Sequence, residues 1–435
     1  MHRDRRGLEL TAANAEAARH FDAFLEGYLA FDIDTGLALK AALKADPTMP
    51  LALTTGGYIF KLLGSRAGEE RARKAHANAT AAADAQGASE RERLHIAALA
   101  AWCDDDWPRA IATWDAILAR WPHDVLALKL ANYLIFYRGD AHGMRASIAR
   151  VLPHWSKDVP GYGYILGCYA FTLEESGAYA EAERTGREAN AINPADIWAT
   201  HAVAHVMEMQ DRPDEGIAWI ERHSAYWGRI NFFTGHVWWH KALFHLERGE
   251  LDAALALYDT RIWAEPSDQY LDICNAASLL WRIEESGGSV GQRWQALLPQ
   301  VEPRLADNVL PFADAHYGMA LVGAGRNELA REFAQRLEDL PPSPLVHRAS
   351  LALVEALMAV GRGDPAWACE RLLQVRPTLV ALGGSHAQRD VFERTLIACA
   401  IRAERRELVS ELLAERLARR PTNRWAQRTA AAIAA

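Results

Sequence analysis

Apolar and small residues recur at i, i+3, i+4 and i+7 through long stretches of the chain. The pattern is plainest in four segments, Gly177 to Pro194, Gly249 to Pro266, Asp105 to Pro122 and Gly325 to Pro342, each running from a turn residue to a proline 17 positions later. Between turn and proline the spacing is that of one amphipathic helix facing a core. A second stretch of the same kind precedes each turn, as in Ile165 to Glu175, His236 to Arg248 and Ala313 to Ala324. The repeating unit therefore reads as helix, tight turn, helix, proline stop.

First helices of such units are expected to start near residues 17, 48, 90, 124, 162, 196, 236, 269, 313, 346 and 386, at spacings of 31 to 44. A helical hairpin repeated at this period, with alanine at the close positions, is the tetratricopeptide-like (TPR-like) architecture. The predicted fold is all-α, a right-handed TPR-like superhelix (solenoid) of about ten to eleven degenerate hairpins, at least about 60% helical and with essentially no sheet. No low-complexity linker interrupts residues 1–435, so one continuous domain is expected, with N-terminal repeats over 1–160 and the more polar repeats over 161–435. Loops at Trp227 to Gly235, Gly287 to Gln292 and Gly383 to Gly384 are longer than a hairpin needs, and function concentrates in such places.

Composition narrows the function. Of 435 residues, 50% are hydrophobic and 24% charged, a folded-protein balance. The net charge is −8, and the only basic run is Arg3-Asp4-Arg5-Arg6, so neither nucleic acid nor an anionic membrane is expected as a partner. No window approaches 18 uninterrupted apolar residues, and the N-terminus has arginines without an apolar stretch, which reads as an uncleaved, unexported chain. Cys103, Cys168, Cys274, Cys369 and Cys399 are scattered with no C-x-x-C spacing, as in a reducing cytoplasm.

Five of the last six first helices carry unusual polar groups. His201-Ala-Val-Ala-His205 and His236-Val-Trp-Trp-His240 each place two imidazoles four residues apart, on one helix face. The next helix brings Asp272, Cys274, Asn275, Trp281 and Arg282; the next brings Asp314 and His316; the last brings His386, Gln388, Arg389 and Asp390. Single histidines such as His95, His223 and His245 read as ordinary hydrogen-bonded residues. Two adjacent pairs followed by carboxylates read instead as a site, since buried imidazoles and carboxylates lower stability unless each is satisfied. Tryptophans at 198, 227, 238, 239 and 281 crowd the same segment and suit the wall of a small-ligand pocket.

Zinc or another divalent metal has suitable ligand types here. Ala202, however, stands where an H-E-x-x-H motif carries its general base, and no carboxylate accompanies either pair at a familiar metal spacing. Metal-free acid–base chemistry, with Asp314 or Asp390 orienting a histidine, is therefore the preferred expectation, with no cofactor. Cys274 as a nucleophile lacks any local signature, and no nucleotide-binding or serine-hydrolase motif is present.

The runs HAVAHVMEM from His201, GHVWWHKALFHLERGELDAALALYD from Gly235, LLWRIEESG from Leu279 and GGSHAQRDVFERTLI from Gly383 together resemble the tetratricopeptide repeat protein 38 family. The resemblance implies a TPR-like solenoid, and its signature runs contain His201, His205, His236, His240, His386, Arg389 and Asp390. It implies no activity. The residues lead to a site that binds, and by acid–base chemistry could transform, a small polar or anionic molecule. His205, His240, His201, His236, Asp314, His316 and Asp390 are its reactive groups, and Arg389, His386, Asp272, Trp239 and Trp281 its binding groups. Arg389 is the expected anchor for a carboxylate or phosphate. The competing reading is an interaction scaffold that holds an extended peptide or partner protein in the groove.

Overall fold

The computed structural model describes residues 2–340 and 347–434. It is 76% helical, all-α and built of TPR-like helical hairpins. Helices begin at Ala15, Pro50, Glu90, Val125, Tyr162, Ile197, Phe233, Tyr270, Pro311 and His386, each within three residues of a start expected from the sequence. The start expected at residue 346, and the proline stop at Pro342, lie outside the described residues. The only strands among the described residues are His2–Arg3 and Glu9–Leu10, an antiparallel ladder two residues deep.

The turn residues have a common physical role. Gly177, Gly249, Gly325 and Asp105 all take positive φ, at 82°, 79°, 70° and 56°. At each, two reverse backbone hydrogen bonds close the preceding helix. Gly177 N donates to Glu174 O at 2.8 Å and Ala178 N to Leu173 O at 2.8 Å; the same pair recurs at Gly249 and Glu250, at Gly325 and Arg326, and at Asp105 and Asp106. This is the Schellman closure, which satisfies the last carbonyls of a helix and turns the chain back on itself. Glycine reaches that φ without strain; Asp105 reaches it as one of the few side chains that tolerate it.

The chain divides into two compact units. The N-terminal unit is Met1–Val203 with His223–Phe233, and the C-terminal unit is Ala204–Arg222 with Thr234–Ala435. In the N-terminal unit, helical hairpins pack around Phe21, Phe24, Trp102, Trp114, Leu134 and Phe171. Its loop residue Arg229 forms a two-pronged pair with Asp32 and reaches Asp34.

In the C-terminal unit the buried bulk comes from Trp239, Phe244, Trp294, Phe312, Phe333 and Phe392. Small residues set how closely its helices approach. A methyl group at Gly216 would fall 2.3 Å from the Phe244 ring, so only glycine fits there. The last helices, Arg406–Arg419 and Arg424–Ala434, are tied to the unit's earliest residues. Arg420 donates to the Glu208 carbonyl and to Asp211 Oδ1, both at 2.6 Å, and Asn423 Nδ2 reaches Asp211 at 2.7 Å. These contacts close a polar interior around the end of the Ile197–Met209 helix.

Candidate functional site

The Phe233–Arg248 helix carries His236 and His240 one turn apart, and both rings are buried. His205, near the end of the Ile197–Met209 helix, has no exposed surface at all. The His205 and His240 rings lie 4.4 Å apart between centroids, and those of His236 and His240 lie 4.9 Å apart. One ring nitrogen from each of the three falls within 4.8 Å of the others. Trp239 backs the trio, stacked on His236 at 5.5 Å and edge-on to His240 at 4.9 Å, with its indole N–H on Ser278 Oγ at 3.1 Å.

Two of the imidazoles are held from behind. His240 Nδ1 donates to Glu208 Oε2 at 2.8 Å, and His236 Nδ1 donates to Asn275 Oδ1 at 3.1 Å. In both rings this selects the tautomer whose lone pair is on Nε2. Burial drives His236 down to about 3, with the nearby His205 adding to the effect, so its ring is neutral at physiological pH. Burial raises the Glu208 carboxyl to about 7 in spite of the opposing pull of His205, Arg420 and Arg282.

Beside the trio lies a buried ionic network. Asp390 accepts from Arg282 at 3.2 Å and from Arg416 at 2.5 Å, while Arg282 also donates to the Ala387 carbonyl at 2.8 Å. Burial alone would raise the Asp390 carboxyl, but Arg416 and Arg282 hold it well below the usual range. Arg394 pairs with Glu247 at 2.9 Å and lies over the Trp425 ring. Arg282, Arg394 and Arg416 with the carboxylates of Asp390 and Glu247 thus sit in a low-dielectric interior, where each is sustained by its partner.

The sequence-expected residues therefore have different fates. Within the C-terminal unit, His205, His236, His240 and Trp239 come together. His201, one turn before His205, packs among the rings of Phe171, Trp198 and Phe233 in the N-terminal unit. Among the described residues neither Asp314 nor Asp390 orients a histidine: Asp390 belongs to Arg282 and Arg416, and Asp314 is pushed up to about 8 by burial and by Asp307, with no hydrogen-bond partner on Oδ2. The carboxylate on a histidine is Glu208.

His316 donates to the Phe312 carbonyl of its own helix at 2.7 Å and packs against Phe312 and Phe392, which makes it a packing residue. Asp272 accepts from Ser267 at 2.6 Å. Trp281 shares its N–H between Thr395 and Glu285 and joins two helices. Arg389, expected to anchor an anion, turns back onto the Gly384 carbonyl and lies 3.4 Å from His386 Nδ1. Cys274 is buried, and burial pushes its thiol well above the ordinary value, which removes the nucleophile reading.

Sequence reasoning missed Glu208, although it is the single charged residue between His201 and Gln210 and lies three residues after His205. A carboxylate at i+3 shares a helix face with the histidine, and that spacing was the available signal. Arg416, Arg420 and Asn423 gave no such signal, because they arrive from the far end of the chain.

No protein-family model matches the chain. Several solved chains are similar to it. A tetratricopeptide repeat protein from Parabacteroides merdae is 12% identical, with a TM-score of 0.37, over 70% of this chain and 98% of that one. The human IFIT1 dimer with PPP-AAAA is 14% identical, with a TM-score of 0.44, over 97% of this chain and 96% of that one. The APC/C hetero-tetramer Cut9-Hcn1 is 16% identical, with a TM-score of 0.40, over 88% and 70%. At this distance the likeness is one of helical-repeat architecture. It also corrects one expectation. The human IFIT1 structures hold PPP-AAAA and m7Gppp-AAAA, and the exclusion of nucleic acid drawn from net charge is withdrawn. Net charge sums over the whole chain and says nothing about any one face. No helix among the described residues is long and apolar enough to cross a membrane.

Proposed function

We propose that this chain is a helical-repeat binding protein, akin to the tetratricopeptide repeat protein 38 family. In this reading its C-terminal unit receives a small polar or anionic molecule at His205, His236 and His240, where acid–base groups can act on it. The observation that carries the reading is the convergence of three buried imidazoles, two with their tautomers set by Glu208 and Asn275. An imidazole in an apolar interior is tolerated when a complementary group satisfies it. Three imidazoles side by side instead make a surface of nitrogen donors and acceptors turned toward a common point, which suits a polar guest. Arg282 and Arg420 act electrostatically on the same corner and favour negative charge in that guest. All five cysteines are free, in keeping with a reducing cytoplasm.

The test is thermal unfolding of the full chain against inorganic phosphate, pyrophosphate and small di- and tricarboxylates, before and after treatment with chelator. A rise in Tm with at least one of these, lost in His205→Ala and His240→Ala, is expected. A panel without effect, or a shift that survives both substitutions, counts against the site.

A further inference from the structure

We infer that His205, His236 and His240 form a binding site for one divalent transition metal of the zinc class. The inference rests on the reading of the trio as the binding centre and names what sits at its middle. Three features carry it. The donors are all imidazole, a ligand type that suits zinc, cobalt, nickel and copper and excludes magnesium or calcium, which take oxygen. Their ring nitrogens lie within 4.8 Å of one another. A tetrahedral centre with Zn–N of about 2.05 Å needs nitrogens about 3.3 Å apart, so at most about 1.5 Å of closure is required, within reach of small χ rotations.

The third feature is the pair of groups behind the rings. Metal-bound histidines nearly always donate the other ring N–H to a carboxylate or an amide-type oxygen, which fixes the ring and strengthens it as a ligand. Glu208 on His240 Nδ1 and Asn275 on His236 Nδ1 are that arrangement, at 2.8 Å and 3.1 Å. With Nδ1 engaged, Nε2 of each ring is the nitrogen left to act as a ligand. Trp239 behind the trio restricts both rings further. Three protein ligands leave a fourth position for water or an anion, as in catalytic rather than structural zinc sites. Arg282 and Arg420 act electrostatically on Glu208, the group behind His240.

The experiment uses the full chain stripped with chelator, with Zn²⁺ and Co²⁺ as probes. Expected are one equivalent of Zn²⁺ by calorimetry, a rise in Tm on addition, and a visible Co²⁺ band of tetrahedral type. His205→Ala, His236→Ala and His240→Ala should each remove the Co²⁺ band. Glu208→Gln, which preserves shape, should keep it but weaken Zn²⁺ affinity about 10- to 100-fold. His245→Ala, outside the trio, should change nothing. Should an alanine variant fail to fold by circular dichroism, His205→Asn and Glu208→Gln carry the test. Failure to bind Zn²⁺ at micromolar concentration, or binding that survives the substitutions, overturns the inference. If phosphate or a carboxylate still stabilises the metal-free chain through His205 and His240, the binding centre stands and the metal alone falls; if neither binds, both fall.

Discussion

Each unit buries histidine in its interior, and the two do so in different ways. In the N-terminal unit His95 has no exposed surface, and its neighbours complement it: Nδ1 meets the Tyr58 hydroxyl at 3.2 Å and Nε2 meets Asp124 Oδ2 at 3.0 Å. The same Asp124 pairs with Arg91 and caps the Val125–Tyr137 helix through Ala127 N, while Trp114 donates to Tyr58. Burial would raise the Asp124 carboxyl, yet His95 and Arg91 keep it well below the usual range. In the C-terminal unit His240 likewise has a carboxylate, Glu208, and an indole, Trp239, beside it, and in addition the two imidazoles of His205 and His236. A histidine whose two ring nitrogens meet a hydroxyl and a carboxylate is a finished piece of structure. Histidines gathered beside other histidines add a set of identical nitrogen donors, and the proposed zinc site rests on that set. The teaching is that burial alone does not mark a functional histidine; the identity of its neighbours does.

The comparison can be broken in four places. The largest effect is expected at Asp124. Asp124→Ala strands Arg91 and His95 in the interior and removes a helix cap, so chemical denaturation should show a loss of about 3–5 kcal/mol, with metal binding unchanged in whatever remains folded. A loss below about 1 kcal/mol would remove the contrast between the units.

His240→Ala comes next. Without metal it should cost only about 1–3 kcal/mol for the cavity and for Glu208 left without its donor, yet it should abolish stabilisation by Zn²⁺. The same cost with and without metal would make the trio as structural as His95.

A third effect depends on pH. Asp314 is raised to about 8 in the folded chain from an ordinary 3.8, so between these values the native state binds more protons than the unfolded state. Its contribution is fully present below about pH 4 and is lost as pH rises through about 8. Asp314→Asn removes that slope and should gain on the parent when melting is compared at pH 9 rather than pH 5. An unchanged pH profile would show that Asp314 is ionised and paired.

The smallest effect is expected at Trp281. Trp281→Phe loses the N–H shared by Thr395 and Glu285 at about 1 kcal/mol, with Zn²⁺ and phosphate affinity unaffected. A drop in ligand affinity would return Trp281 to the site.

The local instructions were legible in the sequence. The 17-residue interval between turn and proline set the hairpins, because a positive-φ residue and a helix-stopping ring act on their immediate neighbours whatever the rest of the chain does. Spacings of four placed His236 with His240 and His201 with His205, because helix periodicity alone puts such residues on one face. Pairing across the chain was not legible. Asp314 and Asp390 had the right chemistry to orient a histidine, yet Glu208 holds His240, and Asp390 lies between Arg282 and Arg416. Arg420 and Asn423 reach residues more than 200 positions earlier. Nothing in local periodicity selects among several carboxylates of equal chemistry. The choice is made when helices pack and the low-dielectric interior requires each charge to find a partner within hydrogen-bonding distance. The sequence alone determined the hairpins and the histidine-bearing faces; only the tertiary structure decided that three of the histidines meet and which groups stand behind them.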